Sequence, residues 1–201
     1  VGSWGDTGCF STYMAHYVVT GVGGLVTTNN PDLASILRSL MNHGRDGIYV
    51  SIDDDDGLTG DALKEVIQRR FSFDRVGHSF RCTEMEAALG LAQLENWEEN
   101  VRGRKRVARR YTEGLAPFAG KFGIQLPFEP PGLEHVYMIY PLVVKDPKRK
   151  AGLVQHLEEN GIETRNLLPL LGQPIYRKMF GDLLEKFPVA KMLDACGFYI
   201  G

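Results

Sequence analysis

The side chain in this sequence best suited to chemistry is His16, in Tyr13-Met14-Ala15-His16 ahead of Tyr17-Val18-Val19. An imidazole titrates near neutrality and serves as a general base or acid. A lone histidine beside apolar residues is usually an ordinary structural residue, and on its own residues His16 reads that way first. His43, near the end of an expected helix, suits the dipole there and needs no other role. His135 beside Tyr137 is as open as His16. No Ser-His-Asp or Cys-His assembly is readable from the spacing, and no histidine pair has metal-ligand spacing, so no metal site is expected.

Other candidates fall to plainer readings. Gly21-Val22-Gly23-Gly24 looks like a phosphate loop, but such loops run directly into a helix whose N-terminus holds the anion. Here the strand-like Leu25-Val26-Thr27-Thr28 follows, so the glycines read as a tight turn. The Asp53–Asp56 run before Gly57 suggests calcium, yet the alternate positions are Asp56, Asp54 and Ile52, and Leu63 stands where the closing Glu belongs. That is a solvated acidic loop. Arg102, Arg104, Lys105, Arg106, Arg109 and Arg110 crowd one stretch, but Glu95, Glu98, Glu99 and Glu113 flank them and the net charge is −2. A solvated helix face fits this better than a nucleic-acid patch, and no nucleic-acid partner is expected.

The elements that must position these groups follow from periodicity. With 201 residues, 43% hydrophobic and 24% charged, the chain is long enough for a real core and excludes disorder, collagen-like repeats and coiled coil. No apolar run approaches the ~18 residues of a membrane span, so no membrane partner is expected. The 3 cysteines, Cys9, Cys82 and Cys196, form no CxxC pair and fit a reducing compartment, the cytosol. No targeting peptide is visible. The chain opens at Val1 and closes on the strand-like Phe198-Tyr199-Ile200-Gly201, which reads as a piece of a longer protein.

Two short strands, Cys9 to Tyr13 and Leu25 to Thr28, flank the glycine turn. A helix follows, with Asn30 as cap, Pro31 in its first turn, Leu33, Ile36, Leu37, Leu40 and Met41 on one face, and Gly44 at its end. Residues 45–75 read as a loop insertion with a short helix from Asp61 to Arg70. Thr83 and Glu86 form a capping box for a helix expected to run to about Leu115, bent near Gly103. Pro117 to Pro131 reads as a connector. Beyond it come a strand over Val136 to Val144, a helix from Asp146-Pro147 to Asn160-Gly161, a strand over Ile162 to Arg165, and a helix from Pro188 bearing Val189, Met192, Leu193 and Cys196. The sum is α/β or α+β, divided at 1–116 and 117–201.

Several ordered blocks go further. They are Gly5-Asp6-Thr7-Gly8-Cys9-Phe10-Ser11, Thr20 to Thr27, Asn42-His43-Gly44-Arg45-Asp46, Arg81 to Glu95 and Gly161-Ile162-Glu163-Thr164-Arg165. Together they resemble the DegT/StrS family of sugar aminotransferases, over essentially the whole chain. The most specific block is Ala87-Ala88-Leu89-Gly90-Leu91-Ala92-Gln93-Leu94.

The resemblance implies the C-terminal part of an aspartate-aminotransferase-type fold: a remnant of the large cofactor-binding domain plus a small α+β domain. It implies pyridoxal 5′-phosphate or pyridoxamine 5′-phosphate as cofactor, a nucleotide-linked keto-sugar as substrate, and a homodimer. Surface polysaccharide or a sugar-decorated natural product is the implied destination. The N-terminal half of the family would hold the acid that pairs with the pyridine nitrogen and the aromatic that stacks on the ring.

At His16 the aminotransferases of the family place the lysine that binds the cofactor as a Schiff base. An imidazole forms no stable Schiff base, but it still takes protons. A branch of the family similar to this sequence carries histidine there, the nucleotide-sugar 3-dehydratases. In them the pyridoxamine form is held untethered, the histidine removes a proton from it and the sugar's 3-hydroxyl leaves, with the pyridinium as electron sink. The resemblance makes His16 the catalytic base. It makes Ser11 and Ser79 phosphate contacts of the cofactor, although Ser11 on a strand otherwise reads as solvent-facing and Ser79 stands where an asparagine is usual. Arg165 becomes a contact for the sugar nucleotide. Val22 replaces the glutamate of the family's Gly-Glu-Gly-Gly turn. One dehydratase branch carries an iron–sulfur cluster after the His-Gly-Arg-Asp block, but residues 45–75 hold no cysteine to ligate one. The rival readings are a sugar aminotransferase that takes a lysine from elsewhere and a non-catalytic member that binds a nucleotide sugar.

Overall fold

A computed structural model describes residues 2–45, 55–167 and 169–201. Asp46, Asp53 and Asp54 lie outside the described residues. The chain forms two compact units, Val1–Trp97 and Glu98–Gly201.

In the first unit, strands β1 (Gly8–Ser11) and β2 (Gly24–Thr27) pair antiparallel, with Gly8 opposite Thr27 and Ser11 opposite Gly24. The long loop between them carries His16. Helix α1 (Pro31–Met41) starts where the sequence says it should. The Asn30 Oδ1 accepts from the Asp32 and Leu33 amides at 2.9 and 3.2 Å, satisfying donors the first turn cannot bond internally. Gly44, at φ 79°, ends it by donating to the Ser39 carbonyl at 2.8 Å.

Helix α2 (Gly60–Arg69) is followed by Arg70, which pairs with Asp55 of the acidic run. Helix α3 (Glu84–Glu95) opens with the expected capping box. The Thr83 hydroxyl, then its amide, hold the Glu86 carboxyl below the usual carboxylate range. This helix is apolar on more than one side, and its Met85, Leu89, Leu91 and Leu94 stand exposed.

The second unit begins one residue into helix α4 (Trp97–Phe122). The break before it falls at Asn96, whose backbone has left helical geometry, rather than near Gly103. Pro117 lies inside this helix rather than in a connector, and the expected border at 116/117 falls within it. A proline there costs roughly 3 kcal/mol through its missing N–H and its ring. The helix nevertheless continues through it, with Ala108 in the core before the proline and Leu115 packed against that core. The arginine run sits on the first half of α4, where Arg102 pairs with Glu99 at 3.2 Å and Lys105 with Glu134.

Strands β3 (Ile124–Gln125), β4 (Tyr140–Val144), β5 (Thr164–Asn166) and β6 (Gly197–Ile200) form an antiparallel sheet in the order β3-β4-β6-β5. Helix α5 (Pro147–Glu159) is capped by the Asp146 side chain on the Lys148 amide at 2.9 Å. Helices α6 (Pro174–Phe180), which the sequence reading passed over, and α7 (Pro188–Cys196) lead into β6. The expected strand over 136–144 begins only at Tyr140. Tyr137 has φ 52°, and its amide donates to Nδ1 of His135 at 2.8 Å, so the chain is turning there and cannot be extended.

The core of this unit alternates along β4, whose Tyr140, Leu142 and Val144 are buried with Phe198, Ile200 and Ala108. Phe198 has no exposed surface at all. Tyr140 keeps its polar end satisfied by a 2.7 Å bond to the Thr112 hydroxyl. Burial pushes the Tyr140 phenol up, and the Thr112 bond works the other way. No helix among the described residues is long and apolar enough to cross a membrane.

Candidate active site

The β1–β2 loop is closed at its neck by two threonines. The Thr12 amide donates to the Gly23 carbonyl at 3.1 Å, and the Thr20 amide to the Thr12 carbonyl at 2.9 Å. The Thr12 and Thr20 hydroxyls lie 2.6 Å apart, and the Thr20 hydroxyl also donates to the Val22 carbonyl at 2.9 Å. With the Thr20 proton spent on Val22, Thr12 is the donor in the pair. Gly23, at φ 140°, admits this closure: a Cβ on it would stand 2.9 Å from the Thr12 hydroxyl and 3.0 Å from that of Thr20. Thr20 is buried, and its methyl lies where a Cβ on Gly90 of α3 would come within 3.1 Å. The neck is therefore seated on α3.

Beyond the neck, the His16 amide donates to the Tyr13 carbonyl at 2.9 Å, closing a turn that carries the imidazole half-buried. Ser11 is the last residue of β1 and is exposed. Its Oγ accepts from the Tyr13 amide at 3.3 Å, which leaves the hydroxyl proton to donate outward.

Ser79 is placed by a different device. The end of α1 crosses the segment 73–80 at van der Waals limit: a Cβ on Gly44 would fall 1.8 Å from the Arg75 carbonyl, and one on Gly77 2.0 Å from the Gly44 nitrogen. The His78 amide donates to the Leu40 carbonyl at 2.7 Å, and the His43 amide to the His78 carbonyl at 2.8 Å. Ser79 bridges to Asn42 and is exposed. Beside it, the Arg81 guanidinium donates to Nε2 of His43 at 3.2 Å. On sequence grounds His43 needs no partner, and the fold supplies one.

Arg165 stands on β5 in the second unit. It donates to the Thr164 carbonyl at 2.9 Å and pairs with Glu163. Ser11 thus ends the strand that leads into the His16 loop, Ser79 sits on the α1 crossing of the same unit, and Arg165 belongs to the other unit. The residues that sequence reasoning missed are Thr12 and Thr20. Their signal was faint: two β-branched hydroxyls flanking His16, one of them directly before the glycine turn.

A family model described as the DegT/DnrJ/EryC1/StrS aminotransferase family matches residues 1–198. The GDP-perosamine synthase of Caulobacter vibrioides is 30% identical over 199 residues, 98% of this chain and 46% of the relative. The dTDP-4-dehydro-2,6-dideoxy-D-glucose 3-dehydratase of Saccharopolyspora spinosa is 31% identical over 173 residues, 83% of this chain and 37% of the relative. Among solved structures, the GDP-4-keto-6-deoxy-D-mannose-3-dehydratase of E. coli with bound hydrated PLP superposes with TM-score 0.73 at 23% identity, covering 100% of this chain and 51% of that one. That likeness carries the fold, a partial α/β fold of the pyridoxal-phosphate aminotransferase type. The chain spans about half the length of the curated relatives it matches.

Proposed function

Since the chain belongs to the DegT/DnrJ/EryC1/StrS aminotransferase family, we propose that it forms part of an enzyme that removes the 3-hydroxyl from a nucleotide-linked 4-keto-sugar, with His16 as base. The observation that carries this reading is the side chain at the loop position after β1: an imidazole, which moves protons but forms no lasting bond to an aldehyde. Pyridoxamine phosphate, when bound, supplies an amine for the keto group and an electron sink.

The residues of this chain suit that group in part. Ser11 has a hydroxyl proton left to donate to a phosphate, because its oxygen already accepts from Tyr13. Ser79, exposed on the α1 crossing, offers a second hydroxyl for a phosphate. His16 holds or takes a proton at its ring nitrogen, and Arg165 offers a cation to the sugar nucleotide. The resemblance implies that the groups that would hold the ring lie outside the part of the relatives that this chain matches, which is 46% of one of them. A homodimer fits the exposed apolar residues of β2 and α3, Leu25, Val26, Met85, Leu89 and Leu91, which water alone would leave unfavourably placed. The enzyme so read works in the cytosol.

The test uses the full-length enzyme. It is loaded with pyridoxal phosphate, reduced with borohydride and mapped by mass spectrometry. Tight binding with no lysine adduct is expected. A specific adduct on an active-site lysine overturns the dehydratase reading in favour of a sugar aminotransferase. No binding overturns it in favour of a non-catalytic member, a reading that Val22 and Ser79 would then explain.

A further inference from the structure

We infer that Thr20 is a positioning residue for His16: its hydroxyl, shared with Thr12 across the neck of the β1–β2 loop, fixes the backbone from which the imidazole is presented. The inference rests on the reading of His16 as base.

The argument is geometric. A general base works only within hydrogen-bond reach of the proton it takes. His16 stands on a loop, past the Tyr13–Gly21 bridge that pairs the loop's two sides, and no strand includes His16 itself. What holds that loop is its neck, in which one hydroxyl does three things. It accepts from Thr12 at 2.6 Å, donates to the Val22 carbonyl at 2.9 Å, and sits on the side chain whose methyl meets α3 at Gly90. Thr20 is only 8% exposed, so water does not replace a lost bond cheaply. Removing the hydroxyl leaves the Thr12 proton and the Val22 carbonyl without this partner and loosens both ends of the loop together.

Two substitutions separate the hydroxyl from the packing. Thr20→Val keeps the volume and the methyl at Gly90 and loses the hydroxyl. Thr20→Ser keeps the hydroxyl and loses the methyl. In the full-length enzyme, deuterium exchange of the peptide spanning residues 12–23 should quicken about tenfold in Thr20→Val, the loss expected of one buried hydrogen bond, and stay near wild type in Thr20→Ser. Turnover should follow the same order. In Thr20→Val kcat falls roughly 10- to 100-fold with KM little changed, the signature of a misplaced catalytic group, and Thr20→Ser restores most of it.

Wild-type exchange in Thr20→Val overturns the inference, and so does quickened exchange with unchanged kcat, which would make the neck merely structural. Should Thr20→Val fail to fold, Thr12→Val removes only the shared bond and decides the same question. Full turnover in His16→Asn would overturn the base reading and with it the catalytic purpose of the neck, while exchange would still decide whether the hydroxyl holds the loop.

Discussion

Thr164 gives two hydrogen bonds to a single oxygen of Glu158: its backbone amide and its hydroxyl each lie 2.6 Å from Oε1. The carboxylate at the end of α5 thereby closes the turn into β5. Such bonds to an ionised acceptor are stronger than neutral ones.

The first prediction follows from that pair. The Thr164 hydroxyl, then its amide, hold the Glu158 carboxyl below its usual range, with a smaller push from the Arg165 charge. A carboxyl lowered in the folded state contributes stability above its unfolded pKa of about 4.3, and that contribution is lost as pH falls through the folded value. Glu158→Gln should therefore lower the urea midpoint near neutrality, and the gap to wild type should close in acid. A gap independent of pH would deny the carboxylate this role.

Phe198 is the fully buried side chain at the centre of the second unit. Phe198→Ala should cost about 3–5 kcal/mol, through lost burial and the cavity left among Tyr140, Leu142 and Val144. Chemical denaturation read by tyrosine fluorescence would measure it.

The Gly44 crossing should tolerate no side chain. A Cβ there would stand 1.8 Å from the Arg75 carbonyl, so Gly44→Ala must push two backbones apart and should leave the first unit unfolded or insoluble. Gly114, within α4 and with nothing within 4 Å of its Cβ position, is the control. Gly114→Ala should stabilise by about 0.5–1 kcal/mol. Solubility and thermal midpoints of the two variants give the comparison.

Asn30→Ala removes the side chain that bonds the Asp32 and Leu33 amides. The loss should be about 1 kcal/mol, visible as faster amide exchange in the first turn of α1.

On the proposed reading, His16→Asn keeps a polar side chain of similar reach and removes the base. In the full-length enzyme, turnover should fall by roughly 10²–10⁴ while cofactor binding persists, as judged by the absorbance of the retained cofactor.

The sequence was most legible where structure is decided within a few residues. Asn30-Pro31, Thr83 with Glu86, and Asp146-Pro147 each mark a helix start by satisfying donors in their own first turn, and all stand in the structure. It was least legible where distant residues decide. Pro117 reads as a helix breaker, yet α4 runs through it, with Ala108 in the core and Leu115 packed against it. Tyr137 reads as a strand residue, yet hydrogen bonding to His135 turns the chain. In the candidate site, the family resemblance pointed to Ser11 and His16. The neck that joins Thr12 to Thr20 depends on a side-chain contact across the loop, which no periodicity reveals.

The order β3-β4-β6-β5 sets a timetable for synthesis. One of this sheet's two inner strands, β6, is translated after the other three of the four. While the ribosome is still making α7, β4 has no neighbour on its inner edge, β5 has none at all, and the seat of Phe198 between them is vacant. The second unit therefore cannot close cotranslationally from its N-terminal side. It waits for Gly197–Ile200, and until then the nascent chain displays an open strand edge and the apolar face of β4, the kind of surface that chaperones shield.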